Sequence, residues 1–184
     1  NKKARRELVV GDCKDRLFME NWICNSSVAV RKTALEVSGG CDPAISGNTV
    51  QDYDLWIRLS SLGTFGFVPT KETVFRLHAG QGHRDRSQLL EEELKVLLKH
   101  RSPGEWRSRP EWRGRLAQVC DELATSYWEA GEIELARSTF LQAWRYSPTP
   151  RQLVRVSASH LPRVLAERVR RWKQSSHHSN SSPR

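Results

Sequence analysis

At 184 residues the chain is long enough for one ordinary domain or two small ones, each with a modest core. Its 38% hydrophobic and 28% charged content fits a soluble globular protein, and no apolar run approaches the roughly 18 residues of a membrane span or reads as a signal peptide. Cys13, Cys24, Cys41 and Cys120 form no CxxC metal or redox pair, which predicts free thiols in a reducing cytoplasm.

In chain order, Trp22 to Val30 reads as a buried strand, β-branched and apolar around a small polar centre. Arg31 to Ser38 reads as a short helix stopped by Gly39, which tolerates the left-handed cap conformation, and Gly39-Gly40 forces a loop. A second helix is predicted from near Thr49 to Gly63, with Leu55, Ile57, Leu59 and Leu62 as its apolar residues. Thr64 to Pro69 and Thr73 to Leu77 read as two short strands, too few to close a sheet of their own. From Ser87 the pattern becomes helical. Ser87 caps an apolar-periodic helix through His100, the Ser102-Pro103-Gly104 break follows, and another helix runs from about Pro110 to Ala130. Helix is predicted onward to about Lys173. Within it, Tyr127, Gly131, Ala136, Phe140, Ala143 and Pro148 have the offsets of one tetratricopeptide repeat over 117–150, without a second copy. Such a unit needs neighbouring helices to bury its faces.

The net charge of +9 is uneven: residues 1–86 hold 13 Lys+Arg against 10 Asp+Glu, and residues 87–184 hold 17 against 11. Most of the excess lies in 151–173, where Arg151, Arg155, Arg163, Arg168, Arg170, Arg171 and Lys173 face Glu167 alone. After Pro162, the residues Val164, Leu165, Val169 and Trp172 gather near one side among those cations, the pattern of a basic amphipathic helix. It either meets an anionic membrane surface or packs on the repeat-like unit. Residues 175–184, Ser/His/Asn-rich without an apolar anchor, are expected to be disordered.

Three blocks carry the chemistry: Gly39-Gly40-Cys41-Asp42, then Gln51-Asp52-Tyr53-Asp54-Leu55-Trp56, then Phe75-Arg76-Leu77-His78. In this order and spacing they resemble the acceptor half of the inverting nucleotide-sugar transferases of glycosyltransferase family 2, which have the GT-A fold. The resemblance covers roughly residues 20–80. It implies Asp52 as the general base that takes the acceptor hydroxyl's proton, Gly39, Gly40, Asp42, Gln51 and Trp56 as acceptor-binding residues, Arg76 as a diphosphate partner and His78 as a ligand of the metal. Taken alone, Thr49-Val50-Gln51-Asp52 also fits a capping box with Asp52 at its fourth position; the flanking residues favour the base. The helix N-terminus is expected to keep this carboxylate ionised. Asp52-Tyr53-Asp54 has the D-x-D spelling of the family's metal motif, but it follows polar Ser46 to Thr49 and leads into a helix, so Asp54 reads as a helix-surface or supporting residue and not as a metal ligand. His83 and His100 have no such context. Cys41 stands where the family more often has an aromatic residue, and Gln51 where glutamate is common, which bears on acceptor identity.

The expected architecture is therefore an α/β fragment, the acceptor half of a GT-A nucleotide-sugar transferase fold, in residues 1–86. An all-α region over 87–174 follows, so that the chain is predominantly helical overall. The chain starts at Asn1 with only some fifty residues before the acidic block, so the nucleotide-binding half is expected to be absent from it. That half would bind most of the divalent cation, Mn or Mg, and the isolated chain would be inactive. Implied partners are a nucleotide-sugar donor, a saccharide or lipid-linked saccharide acceptor, and a peripheral membrane contact through 162–173 at the inner surface; nucleic acid is not expected. The alternative is a non-catalytic helical interaction module carrying a transferase remnant.

Overall fold

The computed structural model describes residues 9–45, 50–68, 73–74, 86–101 and 105–160, and over these the chain is predominantly helical. Its elements are β1 (Val9–Gly11), α1 (Lys14–Met19), a 3-10 turn (Asn25–Ser27), α2 (Lys32–Ser38), α3 (Gln51–Ser60), β2 (Phe65–Phe67), α4 (Arg86–His100), α5 (Glu105–Ser108), α6 (Pro110–Ala130), α7 (Ile133–Tyr146) and α8 (Pro150–Ser159). They sort into two compact units. The first spans Asn1–Arg84 and takes back Lys95–Arg101 from the end of α4; the second holds Asp85–Leu94 and Ser102–Arg184. Helix α4 therefore supplies residues to both.

In the first unit β1 and β2 pair antiparallel, with Val9 opposite Phe67, Val10 opposite Gly66 and Gly11 opposite Phe65. Helix α3 packs against α1 and α2 and is its centre. Tyr53, Asp54, Leu55, Trp56, Ile57, Leu59 and Ser60 are all buried, so α3 is enclosed on nearly every side and not merely amphipathic. Leu17 and Phe18 of α1 complete this core, and the Tyr53 hydroxyl donates to the Leu17 carbonyl at 2.6 Å, which allows a phenol to be buried without loss of a hydrogen bond. Leu62, expected within the helix, lies beyond it and is exposed.

Two expectations for this unit require correction. Trp22 to Val30 forms no strand: Asn25–Ser27 closes a 3-10 turn in which Ser27 Oγ and N–H both donate to the Cys24 carbonyl, local bonds that compete with a ladder. Trp22 instead turns its ring to Phe67, 4.9 Å between centroids, with the Arg16 guanidinium over the indole, 4.1 Å from the ring centroid. Of the strand expected at Thr73 to Leu77, Thr73 and Val74 carry no strand and the rest lies outside the described residues. β1 and α1 arise where no element was expected.

In the second unit α6 and α7 form a helical hairpin. Gly131 ends α6 at φ 90°, the left-handed conformation, and its N–H reaches the Trp128 carbonyl while that of Glu132 reaches Tyr127, so two helix-end acceptors are satisfied. Ala124, Ala136 and Phe140 are packed between the helices, with Tyr127, Trp128 and Val156 beside them. Of the residues at the repeat-like offsets, Ala136 and Phe140 belong to this cluster and Tyr127 packs against it. Helix α8, begun by Pro150 and capped by Thr149 Oγ1 on the Gln152 N–H, packs on α7. The α4 residues of this unit bind α6 through Tyr127 Oη to Glu91, Arg115 to Glu93 and Arg86 to Glu122. No described helix is long and apolar enough to cross a membrane. The basic helix expected at 162–173 and the tail 175–184 lie outside the described residues.

Candidate functional site

The glycine pair follows α2 as a helix-ending motif. Gly39 (φ 78°) donates to the Glu36 carbonyl and Gly40 (φ 69°) to Leu35, and both backbone angles favour glycine. A Cβ on either would touch nothing within 4 Å, so the requirement is conformational and not one of space. The chain then turns at Asp42, whose Oδ1 accepts from the Ala44 N–H at 2.8 Å. Ser38, Gly39, Gly40, Cys41, Asp42 and Pro43 form one side of a cleft of about 260 Å³; Arg58 and Lys99 form the other.

Beneath this cleft lies Asp54, the best-buried carboxylate among the described residues, with no exposed surface. Its Oδ2 accepts from Arg58 Nε at 2.9 Å and forms an ion pair with Nη2 at 2.8 Å, and its Oδ1 is bonded to Lys99 Nζ and His100 Nε2, each at 2.7 Å. Of the two placements expected for Asp54, helix surface or supporting residue, burial excludes the first. Position 54 faces inward, where Arg58, Lys99 and His100 surround its charge. Arg58 carries the network onward, donating from Nη1 to the Ser38 carbonyl and from Nη2 to the Gly40 carbonyl at 2.6 Å. Lys99 does so from the other end, donating to Asp42 Oδ2 at 2.6 Å.

Burial pushes the Asp54 carboxyl up, but the hydrogen bonds from Lys99, His100 and Arg58 hold it below the usual carboxylate range. Burial likewise draws Lys99 down, yet Asp42 and Asp54 keep it above the ordinary lysine value. At His100 burial prevails over the Asp54 bond and lowers the imidazole. A neutral His100 bonded to a carboxylate must carry its proton on Nε2. The four charged groups, two acids and two bases, balance one another.

Of the residues expected in the site, Gly39, Gly40 and Asp42 meet at this cleft. Gln51 supports the same segment, its Nε2 donating to the Ile45 carbonyl at 3.0 Å. Trp56 is buried in the core, only 3% exposed, and its indole N–H has no hydrogen-bond partner among the described residues. Asp52 stands in the first turn of α3 and does not line the cleft. Val50 holds the N-cap position, so Asp52 comes one place earlier than the capping-box register, and its Oδ1 accepts from the Tyr53 N–H at 2.7 Å. Burial raises the Asp52 carboxyl in spite of that bond and one from its own N–H, a shift opposite in direction to the one expected from the helix end. Arg76 and His78 lie outside the described residues. Sequence reasoning missed Arg58, Lys99 and His100, the last two because they are some forty-five residues from Asp54 in the chain.

No metal-binding cluster is found among the described residues. They contain no group of three or more His, Cys, Asp or Glu side chains placed to hold a metal, and Asp54 has both oxygens engaged by Arg58, Lys99 and His100. The four cysteines carry free thiols, and burial pushes that of Cys120 up to about 12, which leaves it unreactive near neutrality.

The His100–Asp54 pair makes the first unit acid-sensitive. Below about pH 6.5 the unfolded chain accepts a proton that folded His100 refuses, so stability falls as pH drops through that region. A second loss comes below the ordinary aspartate value of about 3.9, where unfolded Asp54 is protonated and the folded carboxylate is not. Asp52, raised by burial, works in the opposite sense. Thermal melts from pH 7.5 to 5 should therefore show a steeper decline in the wild type than in His100→Gln, which keeps a donor but cannot titrate; parallel profiles would exclude a neutral His100.

No protein-family model matches this chain, and no curated protein or solved structure matches it.

Proposed function

We propose that this chain is the acceptor side of an inverting nucleotide-sugar transferase, with Asp52 as the general base. One observation carries the reading. Two carboxylates two residues apart on α3 have environments that drive their proton affinities apart: burial raises Asp52, whereas three basic side chains lower Asp54. Such a division supports a proton-transfer role for the raised group and a structural role for the lowered one. The order of the three sequence blocks supports the same assignment.

In this reading the Asp52 carboxylate takes the proton of an acceptor hydroxyl as its oxygen attacks the anomeric carbon, and the bond to the nucleoside diphosphate breaks on the opposite face, with inversion. Gly39, Gly40, Asp42 and Gln51 shape the acceptor side. The GT-A arrangement, the nucleotide-sugar donor, the divalent cation with Arg76 and His78, the saccharide or lipid-linked acceptor and a peripheral membrane contact through 162–173 belong to this proposal. Release of nucleoside diphosphate from a panel of nucleotide sugars, with Mn or Mg and saccharide acceptors, tests it in the longest protein that the coding sequence yields. Turnover that depends on acceptor is expected; a folded protein that transfers from no donor would refute the assignment. The α6–α7 hairpin favours a second role for the helical unit, as a surface for a protein partner, compatible with the first.

A further inference from the structure

We propose that Lys99 is a positioning residue for the loop 39–43, a function that rests on the transferase reading of that loop as the acceptor element. Lys99 belongs to α4, outside the segment that resembles a transferase, and nothing in its sequence surroundings marks it.

The argument starts from how little apolar packing holds the loop. Gly39, Cys41, Pro43 and Ala44 are exposed, Gly40 and Asp42 only partly covered, and a side chain added at either glycine would meet nothing. Polar clamps from the neighbouring helices hold it instead. Arg58 of α3 grips its start at the Ser38 and Gly40 carbonyls, Gln51 grips the Ile45 carbonyl past its end, and Lys99 grips the middle at Asp42. Arg58 and Gln51 bind backbone. Lys99 alone among these three binds a loop side chain, and it does so while bonded at 2.7 Å to Asp54, whose own place is set by burial and by Arg58. Asp42 is thus referred to a fixed point in the core through one ammonium group. Asp42 also organises the turn, through Oδ1 and the Ala44 N–H, so that the clamp on Oδ2 orients the whole loop. The cleft of about 260 Å³ lies between the loop and the two clamping cations.

Lys99→Met removes the clamp and keeps the aliphatic stem, while Lys99→Arg keeps a cation able to bridge two carboxylates. Hydrogen exchange on the full chain is the first readout: the Ala44 amide should exchange about tenfold faster in Lys99→Met, the α3 amides should remain protected, and Lys99→Arg should restore the wild-type rate. Should Lys99→Met fail to fold, Asp42→Asn cuts the same clamp from the loop side and must give the same loop-confined change. The second readout is kinetic, in the active protein. Lys99→Met should raise the acceptor KM by about tenfold while kcat at saturating acceptor and the donor KM stay within about twofold. Unchanged exchange at Ala44 overturns the clamp. A loosened loop with an unmoved acceptor KM overturns the positioning role while Asp52 as base still stands, and a wild type without transfer refutes the transferase reading itself.

Discussion

Asp54→Ala is expected to destabilise the first unit by about 3–5 kcal/mol, the usual cost of removing one partner from a buried ion pair. Asp54 has no exposed surface, and its loss strands the Arg58 guanidinium and the Lys99 ammonium beside a cavity with no counter-charge of comparable burial. The expected loss reflects those stranded cations more than any net attraction within the native cluster. The double variant Asp54→Ala/Arg58→Met should therefore be less destabilised than the sum of its single changes. Denaturant titration gives the free energies, and hydrogen exchange locates them: protection should fall in α3 and persist in the α6–α7 hairpin. An unfolding free energy within about 1 kcal/mol of the wild type would mean that the network contributes little to the fold.

Asp52→Asn should lower turnover of the active transferase by at least about a hundredfold, because a positioned base contributes roughly 10²–10⁴-fold. The amide is nearly isosteric and still offers an oxygen to the Tyr53 N–H, so the helix end keeps its bond while the basic group is lost. Stability should therefore scarcely change. Asp52→Ala separates the two roles further, since it removes the base and the bond to the Tyr53 N–H together and should cost about 1 kcal/mol in addition. The acid limb of the wild-type pH–rate profile should be displaced upward from the ordinary aspartate value, in the direction that burial drives Asp52. Near-normal turnover in Asp52→Asn, with a clear loss of stability in Asp52→Ala, would assign the residue to capping alone.

The elements legible in the sequence are those whose signals are local. Gly39 and Gly131 mark helix ends because only the left-handed conformation closes the carbonyls there, and Pro110 marks a helix start because its missing N–H is not needed. Trp22 to Val30 misled because its β-branched residues suggest a ladder, whereas Cys24 to Ser27 satisfy their backbone locally. The short β1 has no signal of its own; it exists through β2, more than fifty residues later. The site divides in the same way. Gly39, Gly40 and Asp42 could be picked out as neighbours in sequence. Lys99 and His100, by contrast, look like ordinary basic residues in a last helical turn, where the helix dipole already accounts for them. Their convergence on Asp54 is a tertiary fact. For Asp54 the sequence left the helix surface and a supporting role both open; burial removes the first, and the three basic side chains around it make that burial tolerable.

The pairing of β1 with β2 has a kinetic consequence. Val9–Gly11 must wait for Phe65–Phe67 before its ladder can form, and α4 must be complete before Lys99 and His100 reach Asp54. Both closures take entropy from a long stretch of chain before any contact compensates for it. The α6–α7 hairpin faces no such delay, since its two helices are joined through Gly131 and Glu132 alone. On the ribosome the first unit emerges earlier yet cannot complete its Asp54 network until Lys99 and His100 are free of the exit tunnel.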